Sequence, residues 1–404
     1  MVKHSSRVAS SVAMLPYYYG LMSMLSSNAM THGANANGVK VKGKKKSRDQ
    51  EKKTVESLDN LTAVTTATSM TSMPYDSTGK LEMEQKEVKL LQLFRKVSMY
   101  GLDDLGHIFD FQRVGQLVDS STSELLERIE SFLDFDSLRG SQAEQYWHSI
   151  LGAVFPELQE LSLKNRLAAL IQCGKRNMAA SKFTFVEYFS GCGNLTKSFL
   201  AQEHLGAAFD FKYTSNHDCL TVEGLRLWFA ALLSCGPKSF IWFAIECSSW
   251  VPLCLSQSLR HESNGYLGDT SKVFVQNGNA QMVVSSLLMF VACLLGHIVS
   301  LEQPLGSMLP LCDLMDTVLK FIGMSKTVCY LGAYGAKSVK PAQLWSTSSG
   351  LVALETGRPS CPEELAQRGN DGQYTGKKDL LAESEQYPIL FCSLLADLFV
   401  CGRL

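Results

Sequence analysis

The chain has 404 residues, enough for one large domain with appendages or for two domains of ordinary size. Hydrophobic residues make up 46% and charged residues 19%, a balance that excludes a chain disordered from end to end. Acidic and basic side chains number 39 and 38, so the formal net charge of -1 excludes a global electrostatic footprint for nucleic acid, and DNA or RNA would have to be held by a local patch.

Residues 1–80 are rich in Ser, Thr, Asn, Gly and Lys without sustained periodicity and contain the basic run Lys40 to Lys53, so a disordered N-terminal tail is expected. Lys3 and Arg7 precede an apolar-leaning stretch from Val8 to Leu25, which leaves a targeting segment open. Pro16 and the tyrosines at 17–19 interrupt that stretch, and a poorly ordered tail accounts for it equally. Lys42 through Arg48 has the composition of a nuclear-localisation signal or nucleic-acid tether, and also of a solvated linker. The 12 cysteines lie mostly inside apolar runs and form no C-x-x-C pair. That usage points to reduced thiols in an intracellular protein, nuclear or cytoplasmic, and to no metal site.

Residues 81–178 read as a helical region. Leu90, Leu93, Phe94 and Val97 recur at helical spacing, and Leu125, Ile129 and Phe132 do so again after the cap-like residues 121–123. Nothing in this region suggests chemistry, so an adaptor or lid, with a protein partner as its possible ligand, is the default.

At residues 179–404 the texture becomes short apolar runs alternating with helical segments, the signature of βαβ units and a parallel sheet. Strands are expected at Phe183–Tyr188, Ala207–Phe211, Phe240–Ile245, Ile298–Glu302 and Lys326–Leu331. Helices are expected at Leu220–Ser234, Asn277–Leu295 and Pro310–Ile322. The apolar stretch Met282 to Val299 approaches the length of a membrane span, but Ser285, Ser286, Gly296 and His297 dilute it. A buried helix, a break at Gly296 and a buried strand are expected instead, and no membrane.

Four groups of residues in this region carry chemistry. Phe189, Ser190, Gly191, Cys192, Gly193 and Asn194 follow the first strand, and their glycines let the backbone turn tightly and a ligand approach the N-terminus of the next helix. Asp210 ends the next strand about 20 residues on, where such a fold places the acid for ribose hydroxyls, and Asp218 precedes a helix as a candidate cap. Glu246, Cys247 and Ser248 follow the third strand. Glu302 closes the fourth, where an ionised carboxylate after an apolar run needs a partner.

The string Glu187 to Leu195 resembles the cofactor loop of the cytosine-5 DNA methyltransferases, a branch of the S-adenosylmethionine (AdoMet)-dependent methyltransferases, and Asn194 stands where that family has glycine. The resemblance continues at Glu-Cys-Ser-Ser-Trp 246–250, with Glu246 in place of the family's proline, and at Leu-Glu-Gln-Pro 301–304. It extends to the basic segment 333–341 and the closing helix 385–396. It implies a Rossmann-like methyltransferase fold, AdoMet as cofactor with Asp218 as a second contact at its adenine, Cys247 as nucleophile on cytosine C6, Glu302 on N3 of the flipped base, and Ser248, Lys337 and Lys340 as substrate contacts. An acid beside Cys247 is expected to raise the thiol pKa. Only about forty residues separate Trp345 from the closing helix, a short interval for reading base sequence. Two other readings stay open: a methyltransferase-like binding protein without catalysis, and a methyltransferase for another substrate in which Cys247 is structural.

Overall fold

The strands bury alternate residues on opposite faces, and the helices between them bury one apolar side each, so sheet and helices assemble in layers. The computed structural model describes residues 123–135, 141–181, 183–360, 366–368, 374–376 and 385–404; the expected tail and the helical pattern at Leu90–Val97 lie outside them. Three helices come first: α1 Ser123–Leu133, α2 Gln142–Val154 and α3 Leu163–Asn177. In α1 the buried residues are Leu125, Ile129 and Phe132, as their spacing predicts. Ser141 and Ser162 cap the next two, each hydroxyl oxygen accepting a first-turn N–H.

Alternating strands and helices follow: β1 Phe183–Tyr188, α4 Asn194–Ala201, β2 Gly206–Phe209, α5 Val222–Leu233 and β3 Cys235–Phe243. After them come α6 Val273–Leu294, β4 Ile298–Pro304, α7 Asp313–Phe321, β5 Ser325–Tyr330 and β6 Pro341–Ser346. A two-stranded ribbon of β7 Ala366–Arg368 and β8 Tyr374–Gly376 precedes the last helix, α8 Ile389–Val400. Together β1 to β6 make a mixed sheet in the order β2-β1-β3-β4-β6-β5. The pairs β1/β2, β1/β3 and β3/β4 are parallel, while β6 runs antiparallel to both β4 and β5.

Within the basic segment at 333–341, residues 335–340 form a loop between a short helical turn, Leu331–Tyr334, and β6, a strand absent from the sequence expectations. Gln343, Ser346 and the opening Pro341 hide its strand character, and the Ser300 hydroxyl donates to Ser346 Oγ at 2.9 Å across the pair.

On one face Val186, Tyr188, Ile241, Phe243, Val299 and Leu301 pack against α1–α3, α5, α6 and α7. Phe132 of α1 lies 4.0 Å from the ring of Phe290 in α6 and 4.6 Å from that of Phe321 in α7, so the helices ahead of β1 share the core of the sheet. On the other face Phe185, Phe240, Trp242 and Leu344 pack against α4 and α8. Among the described residues α6 is long and apolar enough to cross a membrane, yet 89% of its most apolar window is buried inside the protein. The chain then turns at Gly296, φ +81°, directly into β4.

Candidate functional site

The chain passes from β1 through α4 to β2 on one side, then crosses over β1 to add β3 on the other. The crevice beyond the carboxyl ends of β1 and β3 is therefore a topological switch point, where open α/β sheets bind ligands. The loop after β1, Asp210 after β2, the cysteine loop after β3 and Glu302 in the last turns of β4 all lie along that edge.

The glycine loop is tied down by its own backbone. Ser190 N–H donates to Phe209 O at 3.0 Å and Gly193 N–H to Ser190 O at 2.8 Å. Asp210 secures the loop to β2: Gly191 N–H donates to its Oδ2 at 2.8 Å, and Lys212 N–H donates to Oδ1 at 2.9 Å. Burial pushes the Asp210 carboxyl above its ordinary value, opposed by these two N–H groups. Gly191 has φ +57°, and a Cβ there would meet no atom within 4 Å, so the loop presents bare backbone to open space. Phe189 is also left-handed, at φ 60°, with its ring edge-on to Trp228. Ser190 is buried with its hydroxyl on Tyr213 Oη, and the Cys192 carbonyl accepts from Lys197 Nζ. Asn194 opens α4, and its side-chain amide donates to Tyr387 O at 2.9 Å, which fastens the segment before α8 to the glycine loop.

Under this loop lies Glu187, fully buried on β1. Its Oε2 accepts both the Thr196 N–H, at 2.9 Å, and the Thr196 hydroxyl, at 2.6 Å, within the first turn of α4. Its Oε1 has no hydrogen-bond partner among the described residues. Desolvation pushes the carboxyl up to about 7 against the pull of Thr196. Asp218 accepts the Leu220 N–H in a local turn, while the cap of α5 is Thr221.

The cysteine loop is held from three directions. Gln303 of β4, wholly buried, donates from Nε2 to Ile245 O at 2.6 Å, and Ser307 Oγ–H donates to its Oε1. Arg260, 1% exposed, donates to Ser249 O and Oγ, both at 2.8 Å, to Tyr266 O and to Asn279 Oδ1. Its guanidinium lies 3.3 Å over the Trp250 ring. Gly278 of α6 permits this packing, because a Cβ there would come within 2.3 Å of Ser249 Oγ. Gln281, also on α6, donates to Glu246 Oε2 at 3.4 Å, and Ser248 donates to Glu246 Oε1 at 2.8 Å.

Cys247 sits half-buried at the tip of this loop. Burial pushes its thiol up to about 12; Glu302 adds to the rise, Lys340 opposes it, and the adjacent Glu246 contributes least among the named causes. The penalty expected from Glu246 is thus outweighed by burial and by Glu302. Gln303, next to Glu302, bonds Ile245 O two residues before Cys247, and Tyr387, which donates to Glu302, lies beside the Lys340 ammonium, so Cys247, Glu302 and Lys340 border one stretch of the sheet edge. Lys340, with φ 27°, holds its ammonium 5.8 Å from the centre of the Tyr387 ring. Lys337 is exposed on the preceding turn and Ser248 on the cysteine loop. Glu302, 7% exposed, accepts the Tyr387 hydroxyl at Oε2, at 2.8 Å, and its Oε1 has no hydrogen-bond partner among the described residues.

Gln303, Arg260, Gln281 and Tyr387 were not singled out from the sequence. Gln303 and Tyr387 fall inside motif strings already noted. Arg260 and Gln281 carry no local signal, since their side-chain partners stand 11 to 35 residues away. No group of three or more His, Cys, Asp or Glu able to hold a metal is present among the described residues. Compared with models of known protein families the chain finds no match, and it finds none among curated proteins.

Proposed function

We propose that the chain is an AdoMet-dependent methyltransferase with a Rossmann-like domain, acting on cytosine C5 in DNA or RNA. The observation that carries this reading is the convergence, on the sheet edge that holds the Gly191 loop and Asp210, of the Cys247 loop pinned by Gln303 and of Glu302 bonded to Tyr387 beside Lys340. The open space above Gly191 fits a cofactor lying against bare backbone, and the Asp210 carboxylate beside it keeps lone pairs for ribose hydroxyls. AdoMet, when bound, supplies the electrophilic methyl group.

The chain's own residues supply the rest. Cys247 adds to C6 of the base as the thiolate, and with its thiol pushed up to about 12 that form is scarce at neutral pH. Lys340 favours it. Glu302, the second-largest cause of the thiol's rise, has a buried oxygen with no described partner, which the base would meet on binding. A proton drawn from solvent and held between that oxygen and N3 of cytosine cancels the negative charge near the thiol and eases its ionisation, and the thiol's own proton leaves to solvent as sulfur adds to C6. Substrate binding thereby prepares the nucleophile.

Fluorine at C5 cannot be removed as a proton, so an oligonucleotide containing 5-fluorocytosine is expected to become covalently attached in the presence of AdoMet. Cys247→Ser should abolish the attachment and Glu302→Gln should slow it. Absence of any adduct on DNA and RNA from neutral to alkaline pH would remove the nucleobase reading. The suppressed thiol and the carboxylate at Glu246 favour one alternative, a methyltransferase-like protein that binds AdoMet without catalysis, and that alternative predicts AdoMet binding with no adduct.

A further inference from the structure

The C-terminal segment brings one hydroxyl to Glu302. Tyr387, 8% exposed, stands two residues before α8, and its Oη donates to Glu302 Oε2 at 2.8 Å. The same Oη accepts the indole N–H of Trp242, a wholly buried residue of β3, at 3.3 Å. Its backbone carbonyl accepts the Asn194 side-chain amide, so Tyr387 is fastened to the glycine loop as well.

The direction of this chain follows from chemistry. An indole nitrogen only donates, so the tyrosine oxygen accepts from Trp242 and its own proton is free for the carboxylate. Oε2 of Glu302 is therefore engaged as an acceptor, while Oε1 has no hydrogen-bond partner among the described residues. We propose that Tyr387 is a positioning residue: with Trp242 behind it, it fixes the rotation of Glu302 and reserves Oε1 as the atom that meets the substrate. Because the Tyr387 carbonyl is held by Asn194, the loop proposed to carry AdoMet and the carboxylate proposed to carry the base share one anchor. The role in catalysis rests on the methyltransferase reading, whereas the hydrogen-bond chain does not.

Two measurements on the full chain separate them. The first labels the five tryptophans with nitrogen-15 and follows the Trp242 indole resonance, assigned by its loss in Trp242→Phe. Removing the charge at the far end of a polarised chain alters every bond in it, so Glu302→Gln is expected to shift that resonance. In a Tyr387→Phe background the same substitution should leave it in place. An indole indifferent to Glu302→Gln in the otherwise wild-type chain overturns the proposal, as does a response that survives without the Tyr387 hydroxyl. The Glu302→Gln result alone decides the matter if Tyr387→Phe does not fold.

The second measurement is the rate of 5-fluorocytosine trapping. Losing a charge-assisted hydrogen bond is expected to slow trapping by Tyr387→Phe about ten- to a hundredfold, with AdoMet affinity unchanged. Trapping at the wild-type rate removes the positioning role. If the indole responds as expected but the wild type traps nothing, the nucleobase reading falls and the hold of Tyr387 on Glu302 stands.

Discussion

Glu187 offers a test of how the glycine loop is packed that needs no ligand. Its carboxyl is wholly buried, and its pKa is raised from 4.5 to about 7, chiefly by desolvation. The folded state therefore holds a proton that the unfolded chain releases near pH 4.5. Stability from this group is fully present below that pH, falls as the pH rises toward about 7, and is level above it. A rise of that size corresponds to roughly 3 kcal/mol. Other groups titrate in the same window. His217 and His297 are buried and lowered to about 4, so each adds stability as the pH rises from about 4 to 6.5. Asp210, raised by burial, acts in the same direction as Glu187. The wild-type curve is thus a sum of opposed terms, and only a difference curve isolates Glu187. Glu187→Gln keeps a carbonyl oxygen for Thr196 and removes the titration. Urea unfolding from pH 4.5 to above pH 7 should show the variant gaining on the wild type by roughly 3 kcal/mol across the window. A difference that stays flat would refute the argument that this carboxyl is desolvated beneath the glycine loop.

Three further outcomes are expected. Arg260→Met keeps much of the side-chain volume but strips donors from Ser249, Tyr266 and Asn279, and should cost at least about 3 kcal/mol of unfolding free energy. A neutral result would show that the cysteine loop holds its shape without the guanidinium. Alkylation of Cys247 by iodoacetamide, followed by peptide mass spectrometry, should be slow at neutral pH and rise about tenfold per pH unit toward its raised pKa of about 12. A rate already level near neutrality would contradict the suppressed thiol. Deleting residues 1–80 should leave the thermal midpoint of the remainder nearly unchanged, because their composition buries too little apolar surface to offset chain entropy; a large drop would contradict that.

The elements legible in the sequence are those whose apolar periodicity is undiluted. β1 has the expected bounds, and α6 with its break at Gly296 and β4 appears where an apolar run of that length must be buried. β6 was missed because Pro341 and Gln343 interrupt its run and because it is bonded on both sides only through β4 and β5, pairings that no local pattern encodes. At the candidate site the titratable residues stood out, since a carboxylate or thiol after a buried strand is conspicuous. Those that hold them did not. Arg260 reads as an ordinary surface cation, and Tyr387 meets Glu302 across 85 residues of chain.

The central claim is that the Gly191 loop and Asp210 hold AdoMet, and calorimetric titration of the full chain with AdoMet tests it most directly. Saturable binding is expected, and Asp210→Ala should weaken it about ten- to a hundredfold, the worth of a hydrogen bond to an ionised carboxylate. The loss includes the anchor of Gly191 N–H, so circular dichroism of the variant should accompany the titration. Absence of binding by the wild-type chain would contradict the account at its root, because both the catalytic and the non-catalytic methyltransferase readings require that cofactor.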